Sequence, residues 1–81
     1  MTLNTAIEKS ILSQLYEVFP GNIERPSDIF PAHNNRSEII DYLFDFHENG
    51  WVNFTNLSSK AGKNCSNIKI TRPGITYLKS L

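Results

Sequence analysis

Between Ile7 and Phe19 the apolar residues keep helical spacing: Ile7, Ile11, Leu15 and Phe19 stand at i, i+4, and Leu12 and Val18 widen the stripe. Thr5-Ala6-Ile7-Glu8 has the spacing of a capping box, with the Thr5 hydroxyl accepting from the Glu8 amide, and Pro20-Gly21 stops the helix. The helical period returns at Ile39, Ile40, Leu43, Phe44 and Phe46. Asn35-Arg36-Ser37-Glu38 offers a second cap for this stretch, and Asn49-Gly50 closes it, since glycine enters the left-handed region without cost. From Trp51 the period shortens to two. Val52 and Phe54 alternate with Asn53 and Thr55, and Ile68 and Ile70 alternate with Asn67, Lys69 and Thr71, which predicts a hairpin with its apolar face on the helices. Its connection, eleven residues from 56 to 66, is polar, with Lys60-Ala61-Gly62-Lys63 as the turn. Thr71 caps a last short helix holding Ile75, Leu78 and Leu81. The pattern is weakest from Asn22 to Asn34. There Ile23 suits a short edge strand, and Pro26-Ser27-Asp28-Ile29-Phe30 a brief helix with proline at its first position, limited by Pro31.

This order of elements predicts an α+β fold in one domain spanning 1–81. Ile70-Thr71-Arg72-Pro73-Gly74-Ile75-Thr76-Tyr77-Leu78 resembles the Leu-Thr-x-x-Gly-x-x-Tyr-Leu segment that closes the wing of many bacterial and archaeal winged-helix regulators. The passage Leu43 through Val52 is similar to the exit from their recognition helix. The resemblance covers roughly residues 6 to 81. It implies a winged helix-turn-helix with a three-helix core, a C-terminal β-hairpin wing, a short final helix and a role in transcription.

Composition narrows the classes. The chain has 81 residues, 40% hydrophobic and 20% charged, as expected of a globular protein. No apolar run approaches the roughly 18 residues of a membrane span. No secretory signal is visible at Met1-Thr2-Leu3-Asn4, and Cys65 is the only cysteine, so a reduced, cytoplasmic setting is expected. Net charge is zero but unevenly placed. Residues 1–50 hold Lys9, Arg25 and Arg36 against eight acids, a net of −5, whereas residues 51–81 hold Lys60, Lys63, Lys69, Arg72 and Lys79 with no acid, a net of +5. Such asymmetry suits a polyanion at the basic end, unless folding brings the halves together and cancels the field.

Catalytic chemistry is not expected. His33 and His47 stand fourteen residues apart with no ligand at metal spacing, and Gly62 and Gly74 are isolated rather than part of a phosphate loop. No cofactor, metal, membrane or small-molecule substrate is anticipated. Phe19, Phe44, Phe46, Trp51 and Phe54 fall at core-facing positions, while Tyr16, Tyr42 and Tyr77 are candidates for partial exposure and for a homodimer contact.

Double-stranded DNA is the first candidate partner. In the usual docking of this fold, the helix opening near Arg36 enters the major groove. Its first turn, Asn34, Asn35, Arg36 and Ser37, carries groove chemistry, because asparagine pairs with adenine and arginine with guanine. Beyond that turn Glu38, Asp41, Asp45 and Glu48 form an acidic stripe about 80° wide, which would repel phosphates. The wing residues Lys60, Lys63, Asn64, Lys69 and Arg72 are donors suited to phosphates. The alternative is a protein-interaction module on the same scaffold, docking a partner on the acidic face of Glu38, Asp41, Asp45 and Glu48. Zero net charge favours that alternative, since DNA-binding domains are usually basic.

Overall fold

In the computed structural model, residues 4–29 and 36–81 are described. Helix α1 runs Thr5–Glu17, a 3-10 turn spans Pro26–Asp28, α2 runs Arg36–Glu48, β1 Val52–Asn56, β2 Cys65–Ile70 and α3 Arg72–Ser80. The result is α+β, three helices with a two-stranded antiparallel hairpin, an order compatible with a winged-helix arrangement.

The cap of α1 lies one residue earlier than the capping-box spacing predicts. Asn4 Oδ1 accepts from the Ala6 amide at 2.9 Å and the Ile7 amide at 3.3 Å, so Thr5 already belongs to the helix. Asparagine satisfies the orphan amides of a first turn as well as threonine does, and here the backbone placed Asn4 to do so. Glu8, released from the expected cap, is only 5% exposed and accepts from the Tyr77 hydroxyl at 3.1 Å. Burial pushes the Tyr77 hydroxyl above its ordinary pKa of 10.0, and the hydrogen bond and charge of Glu8 push it the same way. Helix α1 ends at Glu17, so helical spacing no longer governs Phe19. That ring, expected in the core, is 37% exposed instead.

Helix α2 begins at Arg36 as the sequence predicts; the cap expected at Asn35 lies outside the described residues. It stops as Asn49-Gly50 predicts. Gly50 has φ +78°, its amide donates to the His47 carbonyl at 3.0 Å, and the Trp51 amide donates to the Phe46 carbonyl at 2.9 Å, which satisfies the last carbonyls of the helix. The chain is thereby turned directly into β1.

The hairpin register pairs Val52 with Ile70, Asn53 with Lys69, Thr55 with Ser66 and Asn56 with Cys65. One extra residue on β2 is accommodated opposite Phe54, where Asn67 takes φ +53°, a value asparagine tolerates. On the far side of β2, Ile23 and Ile68 exchange both backbone hydrogen bonds at 2.8 Å, so Ile23 makes one isolated bridge at the sheet edge where the sequence suits a short strand. The brief helix expected at Pro26 is the 3-10 turn, with proline at its first position.

Ile11, Leu12 and Leu15 of α1, Ile39, Leu43 and Phe46 of α2, and Val52, Ile68 and Ile70 of the hairpin form one core, joined by Ile29 and Leu78. Cys65 is buried in the same core rather than set in the polar connection. Phe44, Trp51 and Phe54 pack at its margin, half-buried. Tyr42, a candidate for exposure, is 2% exposed, and its hydroxyl accepts from the Asn4 amide at 3.0 Å. Helix α3 closes the assembly. Thr71 caps it by accepting from the Gly74 amide at 3.1 Å, and Tyr77 stacks on Trp51 with ring centroids 3.7 Å apart. Among the described residues no helix is long and apolar enough to cross a membrane.

Candidate nucleic-acid interface

The hairpin connection is shorter and more fully hydrogen-bonded than the alternation suggests. The strands reach Asn56 and Cys65, leaving residues 57–64. Even these continue the ladder: the Leu57 amide donates to the Asn64 carbonyl at 2.9 Å, and Ser59 and Gly62 exchange two backbone hydrogen bonds of 3.0 Å each. The turn proper is therefore Lys60-Ala61. Gly62 closes it at φ +130°, a conformation that L side chains rarely adopt. Side chains reinforce the tip. Asn56 Oδ1 accepts from the Ser58 amide at 2.8 Å, and the hydroxyls of Ser59 and Ser58 accept from the amides of Ala61 and Asn64 at 3.2 and 3.3 Å. Alternation of apolar and polar positions could not reveal this, because the tip is polar on both faces and its pairing is made by backbone atoms.

The ordered tip lies against the start of α2. Ser37, Ile40 and Asp41 on the helix, with Ala61, Gly62 and Lys63 on the hairpin tip, line an open depression of about 320 Å³. Lys63 spans the junction. Its Nζ stands 4.0 Å from Asp41 Oδ1 and 5.4 Å from the centroid of the Phe44 ring. Both side chains of the ion pair are about half exposed or more, so it contributes at most about 1 kcal/mol. The pair sets a cation beside one carboxylate of the acidic stripe where the hairpin tip meets the helix. Of the rest of the stripe, Glu38 and Asp45 are half-buried and Glu48 is exposed.

The residues expected to meet DNA divide into groups. Ser37 and Lys63 come together where the tip meets α2, and Lys60 is exposed in the turn itself. Arg36 opens α2 on the same turn as Ser37, while Asn34 and Asn35 lie outside the described residues, as does His33. Asn64 is half-buried, with its Oδ1 accepting from the Cys65 amide at 2.9 Å, so it serves the hairpin. Lys69 and Arg72 stand at the opposite end of the hairpin. There they line a second depression of about 360 Å³ with Phe19, Asn53, Ile70 and Thr71. At about 3.3 Å per residue this places them on the order of 20 Å from the tip. His47 is exposed beside Phe54, with ring centroids 4.7 Å apart.

At the end of α1 the sequence placed Tyr16 among the exposed rings, as it is, but put Phe19 in the core. The signal was Pro20-Gly21 itself, since a stop so near Phe19 removes the last turn of helix that would carry the ring inward. Comparison with family models, curated proteins and solved structures finds no match to this chain.

Proposed function

We propose that this chain is a winged-helix module that binds duplex DNA and regulates transcription, with the first turn of α2 in the major groove and the wing tip on the adjoining backbone. The observation that carries this reading is the juxtaposition of Ser37, Ile40 and Asp41 with Ala61, Gly62 and Lys63. The helix start and the tip lie side by side, as docking in this mode needs. Ile23 is bridged to β2 on the edge away from β1. Arg36 and Ser37 then supply base-edge chemistry, and Lys60 and Lys63 supply phosphate contacts.

Because Lys69 and Arg72 lie away from this surface, two phosphate contacts are expected rather than four. The slope of log K against log salt is then about −2. The test is a titration with duplex DNA at two salt concentrations. Lys60→Ala with Lys63→Ala should flatten the slope by about two and weaken all sequences alike. Arg36→Ala should cost about 1–3 kcal/mol on a specific site and little on random DNA. Wild-type protein that ignores duplex DNA at low salt would overturn the reading. The second reading, a protein-interaction module, draws on the half-buried Asp45 and the exposed Glu48, which lie further along α2 than Asp41. On that reading a basic protein partner docks on Glu38, Asp41, Asp45 and Glu48, and Asp45→Asn weakens it.

A further inference from the structure

We propose that the base of the hairpin carries a second nucleic-acid site, one that takes the unpaired bases of a single strand. Two rings face solvent here. Tyr16 is 40% exposed and Phe19 37%, with centroids 6.5 Å apart. Val18, between them in sequence, is 42% exposed, so the end of α1 presents a local apolar surface rather than one stray side chain. Phe19 forms one wall of the depression of about 360 Å³ that Asn53, Lys69, Ile70, Thr71 and Arg72 complete. Lys79 reaches the same surface from α3, with its Nζ 5.9 Å from the centroid of the Tyr16 ring. Lys69, Arg72 and Lys79 are all exposed.

Exposed rings interleaved with cations match the chemistry of a single strand, whose bases stack on aromatic side chains while its phosphates follow positive charge. The ring separation exceeds the roughly 3.4 Å rise between stacked bases in a duplex, so it suits two bases splayed apart. A duplex keeps its bases inside and offers the rings nothing to stack on. The Asn53 amide, on the same solvent-facing side of the hairpin as Lys69, presents a donor and an acceptor to a base edge. This site is independent of the duplex surface at the wing tip, which uses other residues.

The test is fluorescence anisotropy of the full chain with a labelled oligothymidine of about ten nucleotides at low salt. Wild-type protein should bind it. Phe19→Ala and Tyr16→Ala should each weaken binding about ten-fold, as expected for a lost stacking platform. Thermal melts of both variants should stay cooperative, with the protein folded at the assay temperature, so that lost binding reads the rings and not unfolding. Lys69→Ala with Arg72→Ala should flatten the salt slope by about 1.4, at about 0.7 per contact. Lys60→Ala with Lys63→Ala should leave oligothymidine binding unchanged, whatever it does to duplex DNA, so the two sites fail or stand separately. Absence of oligothymidine binding would overturn the proposal. So would binding indifferent to both ring variants, or tighter capture of an acidic aromatic peptide of equal length.

Discussion

The segment Ile70 through Leu78 shows what individual residues contribute to the resemblance on which the fold expectation rests. Thr71 Oγ1 accepts from the Gly74 amide and donates to the Gly50 carbonyl at 2.6 Å, so one hydroxyl caps α3 and fastens it to the end of α2. Tyr77 stacks on Trp51 and donates to Glu8, while Ile70 and Leu78 are buried. Each of these positions is explained by packing, so the segment speaks for the fold and not for DNA. Tyr77 also carries a pH signature. Its pKa is raised in the folded protein, first by burial and then by Glu8, so the unfolded chain loses this proton first as pH rises. The stability this contributes is fully present below about pH 10, the unfolded value, and is lost as pH climbs through the folded-state pKa. Tyr77→Phe keeps the ring on Trp51 but has no proton to lose. Urea midpoints from about pH 8 to pH 11 should therefore fall more steeply above pH 10 for wild type than for the variant. Parallel profiles would mean that the hydroxyl titrates as it does in the unfolded chain.

At the scale of elements, the legible parts were those governed by period and by local stop signals. The i, i+4 stripes gave α1 and α2, Gly50 gave the end of α2, and the change to alternation at Trp51 gave the hairpin. What stayed hidden was non-local or set by a single residue: the shift of the cap to Asn4, the bulge at Asn67, the pairing of Ser59 with Gly62, and the seat of Lys63 on α2. None of these leaves a periodic trace, because each depends on backbone geometry or on a partner distant in sequence. The junction of α3 with β1 gives a test at this scale. Within an isolated helix, alanine in place of glycine gains about 1 kcal/mol. At Gly74 the added Cβ would strike the Trp51 carbonyl oxygen, and that oxygen is held by the Thr71 amide at 2.9 Å. A backbone atom fixed in this way cannot yield as a side chain would, so the clash wins. Gly74→Ala should cost about 1–3 kcal/mol, read as a lower urea midpoint. An unchanged or higher midpoint would mean that α3 can shift along the sheet without loss.

For the whole molecule, the question is whether the charge asymmetry of the sequence survives folding. Residues 1–50 are net −5 and residues 51–81 net +5, which as separate lobes would draw molecules together head to tail. The fold interleaves them instead. Lys63 sits at Asp41, and the Thr71–Gly50 hydrogen bond brings the start of α3, with Arg72, to the end of α2, close in sequence to Glu48. Tyr77 and Glu8 join the last helix to the first. At about 20 mM salt the screening length is roughly 20 Å, comparable to the separation of tip and base on the hairpin, so charges of both signs are felt together at any approaching surface. At about 500 mM it is only some 4 Å, and long-range attraction is gone in either case. Sedimentation velocity at these two concentrations should therefore give the same monomeric coefficient. Association confined to low salt would mean that the lobes remain apart despite the contacts at Asp41 and Gly50. Association equal at both would instead mark an apolar contact, for which Tyr16, Val18 and Phe19 are the exposed apolar side chains that stand together, and Phe19→Ser should then abolish it.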